Sequence, residues 1–372
     1  MHLAFCILNY MPRVLGIDPG TVSLDICGLD ADRVFLDETI PTEDALADPS
    51  LMIGLIERAS PLDLVVGPSG YGLPLTNARD LTESDIRLAC LAPRGENSGI
   101  GGLSSMMRAL ATSTAPVVMT PGVVHLTSVP AHRKINRVDM GTADKVCSVA
   151  LAIHEQARRR GCPSREVSLI LLELGGAFTA AIAVEHGRIV DGLGGSSGPI
   201  GAIASGALDG EVAFLAGQVT KQMIFSGGAL AVAGTPDARA EAVAEVTTPA
   251  RQKALEGYLE SIVKAVATLT ISAPSARSVV LSGRLARVAT IRGGLMSRLL
   301  RSLPGGTVES LAGIATVCKH AAQGAAILAD GLAGGSAAEL VQTLGIREAT
   351  GTVLDHLYVI TPEAARRRLG ID

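Results

Sequence analysis

Tryptophan is absent from this chain, and aromatic residues make up only 2% of its 372 positions. Ala, Gly, Val and Leu are abundant instead, which suits an α/β protein of tightly packed helices and sheets, with small residues where elements approach closely. The length is enough to bury a large core and to divide into two domains. There is no basic block beyond the arginine triplets 158–160 and 366–368, both at the ends of helix-like segments, where cations complement the macrodipole. With a formal net charge of −4, nucleic acid is not an expected partner. No apolar run is long enough to span a bilayer, so no membrane is expected either. The six cysteines, at 6, 27, 90, 147, 162 and 318, include no pair at metal-ligand spacing, and the seven histidines form no HExxH cluster. Most of the cysteines sit in apolar runs and read as small core residues in a reducing compartment. Residues 1–10 are apolar but lack a basic start and a clear cleavage site. They read as an upstream extension ahead of Met11 rather than a signal peptide, and the expected location is cytoplasmic.

What the chain has is glycine, 42 residues of it, much of it gathered in turns. Residues 13–30, RVLGIDPGTVSLDICGLD, read as an apolar strand (14–17), Asp18, a Pro19-Gly20 turn, Thr21, and a second strand climbing back. Without a Cβ at Gly20 the backbone can turn sharply and bring N–H groups against an anion. Thr21 adds a hydroxyl and Asp18 a carboxylate at the mouth of the turn. That grouping suits a triphosphate and its Mg²⁺, although Asp-Pro-Gly is also ordinary hairpin chemistry. Residues 33–40 add a third strand and complete a β-meander; 44–59 have helical apolar spacing, and 62–66 form a short buried strand. That strand runs into GPSGYGLP (67–74), a loop leaving the end of a parallel strand, the edge at which open α/β sheets bind ligands. A plain connection is the equal alternative.

Helical segments at 82–90 and 103–111 flank a glycine-rich link, 95–102, and 116–120 is another buried strand. Residues 125–146 then gather Arg133, Lys134, Arg137, Asp139, Asp144 and Lys145. A helix begins at Thr142 and ends in the first arginine triplet and Gly161. Asp139 therefore precedes a helix start, and Asp144 and Lys145 lie in its first turn, where an anion is favoured; an Asp capping the helix is the simpler reading. The strand 168–173, the turn Leu174-Gly175-Gly176-Ala177-Phe178-Thr179, and strands 180–184 and 188–191 repeat the opening layout of apolar strand, acid, glycine turn, Thr and strand. Two meanders of one design suggest two similar halves facing each other. A glycine-serine loop (192–201), a long helix (249–272), a strand (278–281) with Ser282-Gly283-Arg284, and a helix (290–302) follow. An Ala- and Gly-rich helix (316–332) leads to a tail with a helix (337–344), a strand (353–359) and a short basic helix.

Three of these elements, in this order, resemble the superfamily of sugar kinases, actin and heat-shock chaperone ATPases. Asp18-Pro19-Gly20-Thr21 looks like its first phosphate loop, Glu173 to Thr179 its second, and the strand 279–283 its adenosine motif. Two departures stand out: Glu173 replaces the usual Asp, and Ser282-Gly283 replaces a double glycine. Within the superfamily the chain looks most like the archaeal and bacterial family labelled predicted butyrate kinases, in which the PSGYGLP loop and the GTADK segment recur. The resemblance implies an α/β fold of two ribonuclease H-like domains facing each other across a nucleotide cleft, the actin-like ATPase and acetate kinase-like architecture. The expected divisions are 13–140, 141–332 and a C-terminal extension, 333–372. The resemblance also implies ATP and Mg²⁺ as cofactors, with Gly20, Thr21, Gly175, Gly176, Thr179, Ser282, Gly283 and Arg284 on the nucleotide and Asp18 and Glu173 on the metal.

The acceptor stays open. Residues 140–145 also resemble the Gly-x-Asp-Arg segment of type III pantothenate kinases, with one residue more between Gly141 and Asp144. A hydroxyl acceptor benefits from a carboxylate base, whereas a carboxylate acceptor is already ionised and needs cations. Asp139 or Asp144 would serve the first; Arg133, Arg137 and Lys145 would clamp the second. The leading expectation is an acyl kinase acting on a short carboxylate. A kinase of an alcohol or hydroxy acid and a nucleotide sensor working through a protein partner are the alternatives. The small molecule is the expected partner, with a homodimer as the one assembly considered.

Overall fold

The computed structural model describes residues 11–20, 22–67, 69–93 and 102–371. The first half opens on an antiparallel meander, β1 (Arg13–Pro19), β2 (Ser23–Asp30) and β3 (Arg33–Pro41). The interiors of β1 and β2 are continuously buried, because helices cover one face and loops the other. The single helix expected over 44–59 is two, α1 (Thr42–Ala47) and α2 (Ser50–Ala59). Pro49 supplies no N–H and disfavours helix at the residue before it, so the chain breaks at Asp48. β4 (Leu64–Gly67) returns parallel to β1, the short β5 (Thr76–Asn77) lies at the far edge, and α3 (Glu83–Cys90) and α4 (Leu103–Ala111) lead to β6 (Val117–Met119). The sheet order is β3-β2-β1-β4-β6-β5.

Helix α5 (Ala143–Arg160) carries the chain into the second half and stops at Gly161, in the left-handed conformation usual after a helix end. A second meander follows, β7 (Leu169–Leu174), β8 (Thr179–Glu185) and β9 (Arg188–Leu193). Then come the short helices α6 (Gly210–Ala216), α7 (Lys221–Ile224) and α8 (Ala229–Val232), the long α9 (Pro249–Ser272), β10 (Ser278–Ser282), α10 (Ala289–Ser302) and β11 (Thr307–Ser310). Here the order is β11-β10-β7-β8-β9, with β10 parallel to both neighbours. Reversed, β9-β8-β7-β10-β11 matches β3-β2-β1-β4-β6 strand for strand. The repeated design read in the two meanders extends to the parallel strands.

α11 (His320–Leu332) leaves the second half and packs on β1, β2 and β4 of the first sheet and along α5. Its approach is backbone to backbone: a Cβ on Gly16 of β1 would collide with the main chain of Ala322 and Ala326, and one on Gly324 with the carbonyl of Cys147 in α5. The helix begins at His320, four residues later than expected. Residues 316–318 are instead an extended strap whose amides donate to the Asp37 carboxylate, from Thr316 (2.9 Å), Val317 (3.0 Å) and Cys318 (2.7 Å).

The tail holds α12 (Ala338–Leu344) and α13 (Pro362–Leu369), but the strand expected at 353–359 is a run of turns. Thr352 donates its N–H to Asp355, and the Asn136 side chain accepts from the amides of Tyr358 and Val359, so these groups are satisfied without a ladder. Cys27, Cys90, Cys147 and Cys318 are buried free thiols and Cys162 is half-buried, as small core residues would be; Cys6 and the rest of the 1–10 segment lie outside the described residues. Among the described residues no helix is long and apolar enough to cross a membrane.

Candidate active site

The β1–β2 turn, the β7–β8 turn, the end of β10 and the first turn of α5 converge on one cleft of about 410 Å³. In the first turn, Gly20 donates its N–H to Ser23 (2.9 Å) and its carbonyl accepts from the Thr42 hydroxyl (2.8 Å). Thr21 lies outside the described residues. In the second, Gly175 donates to the Phe178 carbonyl (3.0 Å), leaving Gly176 and Ala177 at the tip. Gly283 closes against this turn with φ +89°, where a Cβ would stand 2.6 Å from Glu173 Oε1 and 2.5 Å from the Leu174 carbonyl. Both the conformation and the close approach demand glycine.

The charges are concentrated at the centre. Asp18 is buried at 6% exposure, and burial pushes its carboxyl up from 3.8 to about 7, with Lys319 opposing the rise and Asp144 and Asp25 adding to it. Burial likewise raises Glu173, against the pull of Lys145. Asp144 goes the other way. Burial works against its charge, but Lys145 and the Thr142 hydroxyl bond its two oxygens and hold it below the ordinary carboxylate value. Lys145 is in turn held above the usual lysine value, the attraction of Asp144 and Glu173 outweighing its burial. A second pair, Lys319 with Asp25 (2.8 Å), braces the first turn: Lys319 Nζ also donates to the Ser23 carbonyl (2.9 Å), and Asp25 is only 2% exposed. Ser282 Oγ lies 2.7 Å from Nδ1 of His320, which burial keeps neutral with a value of about 4.

Of the residues singled out from sequence, Asp18, Gly20, Asp139, Asp144, Lys145, Glu173, Gly175, Gly176, Ser282, Gly283 and Arg284 all line this cleft. Arg137 and Thr179 do not. Arg137 donates to the Ser197 carbonyl (3.2 Å), and Arg133 to that of Val190 (2.8 Å), so the expected arginine clamp is not assembled. Thr179 is buried beneath the turn with its hydroxyl 3.4 Å from that of Tyr258. Asp139 reaches the cleft with its carboxylate already engaged by Ser196 N–H (2.9 Å), Ser196 Oγ (3.0 Å) and Gly141 N–H (3.2 Å), and it organises the glycine-serine loop. Arg284 is ion-paired with Glu241. Gly70 and Tyr71 of the 67–74 loop also line the cleft, whereas sequence reasoning missed Lys319, Asp25, His320 and Phe225. The one usable signal was Lys319-His320 standing directly ahead of a small-residue helix.

The family model described as "Protein of unknown function (DUF1464)" matches residues 16–359, covering both turns, the α5 pair and the strap before α11. The chain belongs to the DUF1464 family. No curated protein matches this DUF1464 chain by sequence. Solved structures do match it in shape. A propionate kinase from Francisella tularensis subsp. tularensis SCHU S4 is 14% identical, covering 84% of this chain and 99% of that one, with a TM-score of 0.60. An acetate kinase from Entamoeba histolytica is 14% identical over 81% and 96%, with a TM-score of 0.56, and that from Porphyromonas gingivalis is 15% identical over 77% and 86%, at 0.53. At such identities the likeness is one of fold. This DUF1464 chain has two ribonuclease H-like α/β halves about a cleft, the actin-like ATPase and acetate kinase-like architecture.

The raised Asp18 value has a consequence for the ligand-free protein. An acid whose folded value exceeds its unfolded value loses stability as pH rises between the two, here from about 4 to about 7. Asp144 runs in the opposite sense, its stabilising charge being lost as pH falls toward its depressed value. Asp18→Asn is therefore expected to lie close to wild type near pH 4 and to melt higher by roughly 5 °C near pH 8. Thermal denaturation at both pH values checks this; an equal Tm difference at the two would contradict it.

Proposed function

We propose that this protein is an ATP-dependent small-molecule kinase whose acceptor is a hydroxyl group. The observation that carries the reading is Asp144, a half-buried carboxylate held in its ionised form at the start of α5, facing the cleft between two glycine turns. Each of its oxygens has one partner in the resting protein, and a carboxylate oxygen can accept a second hydrogen bond. It can therefore take the proton of an attacking hydroxyl while Lys145 neutralises the charge beside it. The backbone of the two turns would hold the γ-phosphate, with Lys319 supplying positive charge next to Gly20. Transfer of this kind depends on positioning and charge neutralisation more than on covalent chemistry by the protein.

The acids also fit a divalent cation. Glu173 Oε2 is buried without a hydrogen-bond partner, and Asp18 is forced toward protonation, both of which a hard cation would relieve. Among the described residues no group of three or more His, Cys, Asp or Glu forms a protein-only cage. That suits Mg²⁺, which keeps waters and takes substrate phosphates as ligands. Asp18 and Glu173 would hold it, directly or through water, and bound there it neutralises phosphate charge.

A carboxylate acceptor is the second reading, supported by the fold shared with acetate and propionate kinases. Against it, Arg133 and Arg137 bond main-chain carbonyls rather than facing the cleft, and an attacking carboxylate would meet Asp18, Asp144 and Glu173. A third reading, an ATPase coupled to a protein partner, draws on the exposed Tyr358 and Val359 in the tail. ADP release from Mg-ATP across a panel of hydroxy acids and short carboxylates, with hydroxylamine present to trap acyl phosphates, separates the three. The expected result is stimulation by hydroxylated acceptors without hydroxamate. Hydroxamate formation would establish the acyl kinase instead, and tight ATP binding with no stimulation the partner-coupled ATPase.

A further inference from the structure

Residues 206–227 form a strap held at its two ends, where Ala207 N–H donates to the Gly198 carbonyl (2.9 Å). At the root, the amides of Ile203 and Ala204 both donate to the carbonyl of Ala177 (3.2 and 3.1 Å), the tip of the second phosphate turn. Ala204 bridges to Gly227, and Gly228 N–H donates to Ile203 (2.8 Å), so both ends of the strap leave from one point. Gly206 and Gly227 flank it with φ of +75° and +79°. Beside the root, the Phe225 ring stands edge-on to Phe178 at 4.8 Å, and four residues earlier Lys221 Nζ lies 5.3 Å above the ring of Tyr71 in the other half. The middle packs on little: Phe214 and Leu215 in α6 are 78% and 80% exposed.

The chain has only four tyrosines and five phenylalanines, yet Tyr71, Phe178 and Phe225 meet at one end of the cleft, joined there by Leu103. We infer that the strap is a gate over the acceptor end of the cleft, rooted on the second phosphate turn and latched by Phe225, which limits the apolar group carried beside the acceptor hydroxyl. The inference rests on the kinase reading for the identity of the acceptor. A phosphate bound at Gly175–Phe178 fixes the Ala177 carbonyl and the Phe178 ring, the two groups that hold the strap, so nucleotide binding steadies the gate. A closed gate keeps water from the transferring phosphoryl group. It also gives the acceptor an apolar wall beside its hydroxyl, which suits a small hydroxylated molecule with a short apolar side.

Hydrogen exchange on the full chain, with and without Mg²⁺ and β,γ-imido-ATP, tests the gate, and ADP release tests its selectivity. In wild type, exchange over 206–227 is expected to slow about tenfold with nucleotide, in step with the turn at 175–178. Phe225→Ala is expected to abolish the slowing in the strap but not in the turn, to raise acceptor-independent ADP release several-fold, and to admit longer hydroxy acids. Phe225→Leu shows the same changes in smaller measure, and Phe214→Ala, on the exposed face, none. Nucleotide protection of the turn without the strap overturns the gate, as does a Phe225→Ala variant with the wild-type acceptor profile. Protection of both, with no acceptor stimulating ADP release, keeps the gate and overturns the kinase reading. Protection of neither overturns both.

Discussion

Asp144→Asn is expected to lower phosphoryl transfer by about 10²–10⁴-fold while leaving ATP affinity nearly intact. The asparagine keeps an oxygen to accept from Thr142 but loses the charge that takes a proton from the acceptor. It also strands Lys145, whose ammonium rests half-buried against this carboxylate and is held protonated chiefly by it. Removing one partner of a fully buried pair costs about 3–5 kcal/mol and less in a pair exposed by 18% and 26%, so thermal unfolding has to be followed beside turnover and ATP calorimetry. The double variant Asp144→Asn/Lys145→Met removes both charges. It is expected to recover much of the lost stability and none of the activity, which separates the chemical role of the carboxylate from its structural one. Full turnover in a folded Asp144→Asn protein would remove the base from the mechanism.

The largest effect on stability is expected at Gly324. Its missing Cβ lets α11 lie against the carbonyl of Cys147, and a backbone atom in the middle of α5 cannot rotate away as a flexible side chain could. Gly324→Val must push the two helices apart along their whole contact, at a cost of more than about 4 kcal/mol, well beyond the usual range for single substitutions. Gly293, in α10, faces open space, and Gly293→Ala is expected to stabilise by about 0.5–1 kcal/mol through helix propensity alone. Chemical denaturation of the pair gives the comparison directly. A folded Gly324→Val with near wild-type stability would mean that α11 is not wedged as described.

These two residues also show how much could be read from sequence. The glycine turns at 20, 175 and 283 and the charged pair at the start of α5 were legible because each is local: a strand, a turn and a helix start lie within a few residues of one another. The twin meanders were legible for the same reason. Lys319 was not, since its meaning comes from Asp25 on β2, far away in the chain. The strand expected at 353–359 failed likewise, its amides being claimed by Asn136, a distant side chain. Arg133 and Arg137 mark a different limit. Charge density announced a functional segment, but only the fold decides which side chains turn toward the cleft and which toward neighbouring carbonyls.

The placement of α11 has a consequence for how this chain is made. β1 leaves the ribosome about 300 residues ahead of α11, yet Gly16 on the one lies against Ala326 on the other. At about 5–20 residues per second, the face of the first sheet that α11 covers waits some tens of seconds for its helix. During that time the early half is a sheet with an open apolar side, vulnerable to aggregation and to chaperone capture. The second half carries its own meander, parallel strands and α9, with a separate buried cluster on the α9 side of its sheet. Completion of the first sheet therefore waits on a helix that follows the second half in the chain.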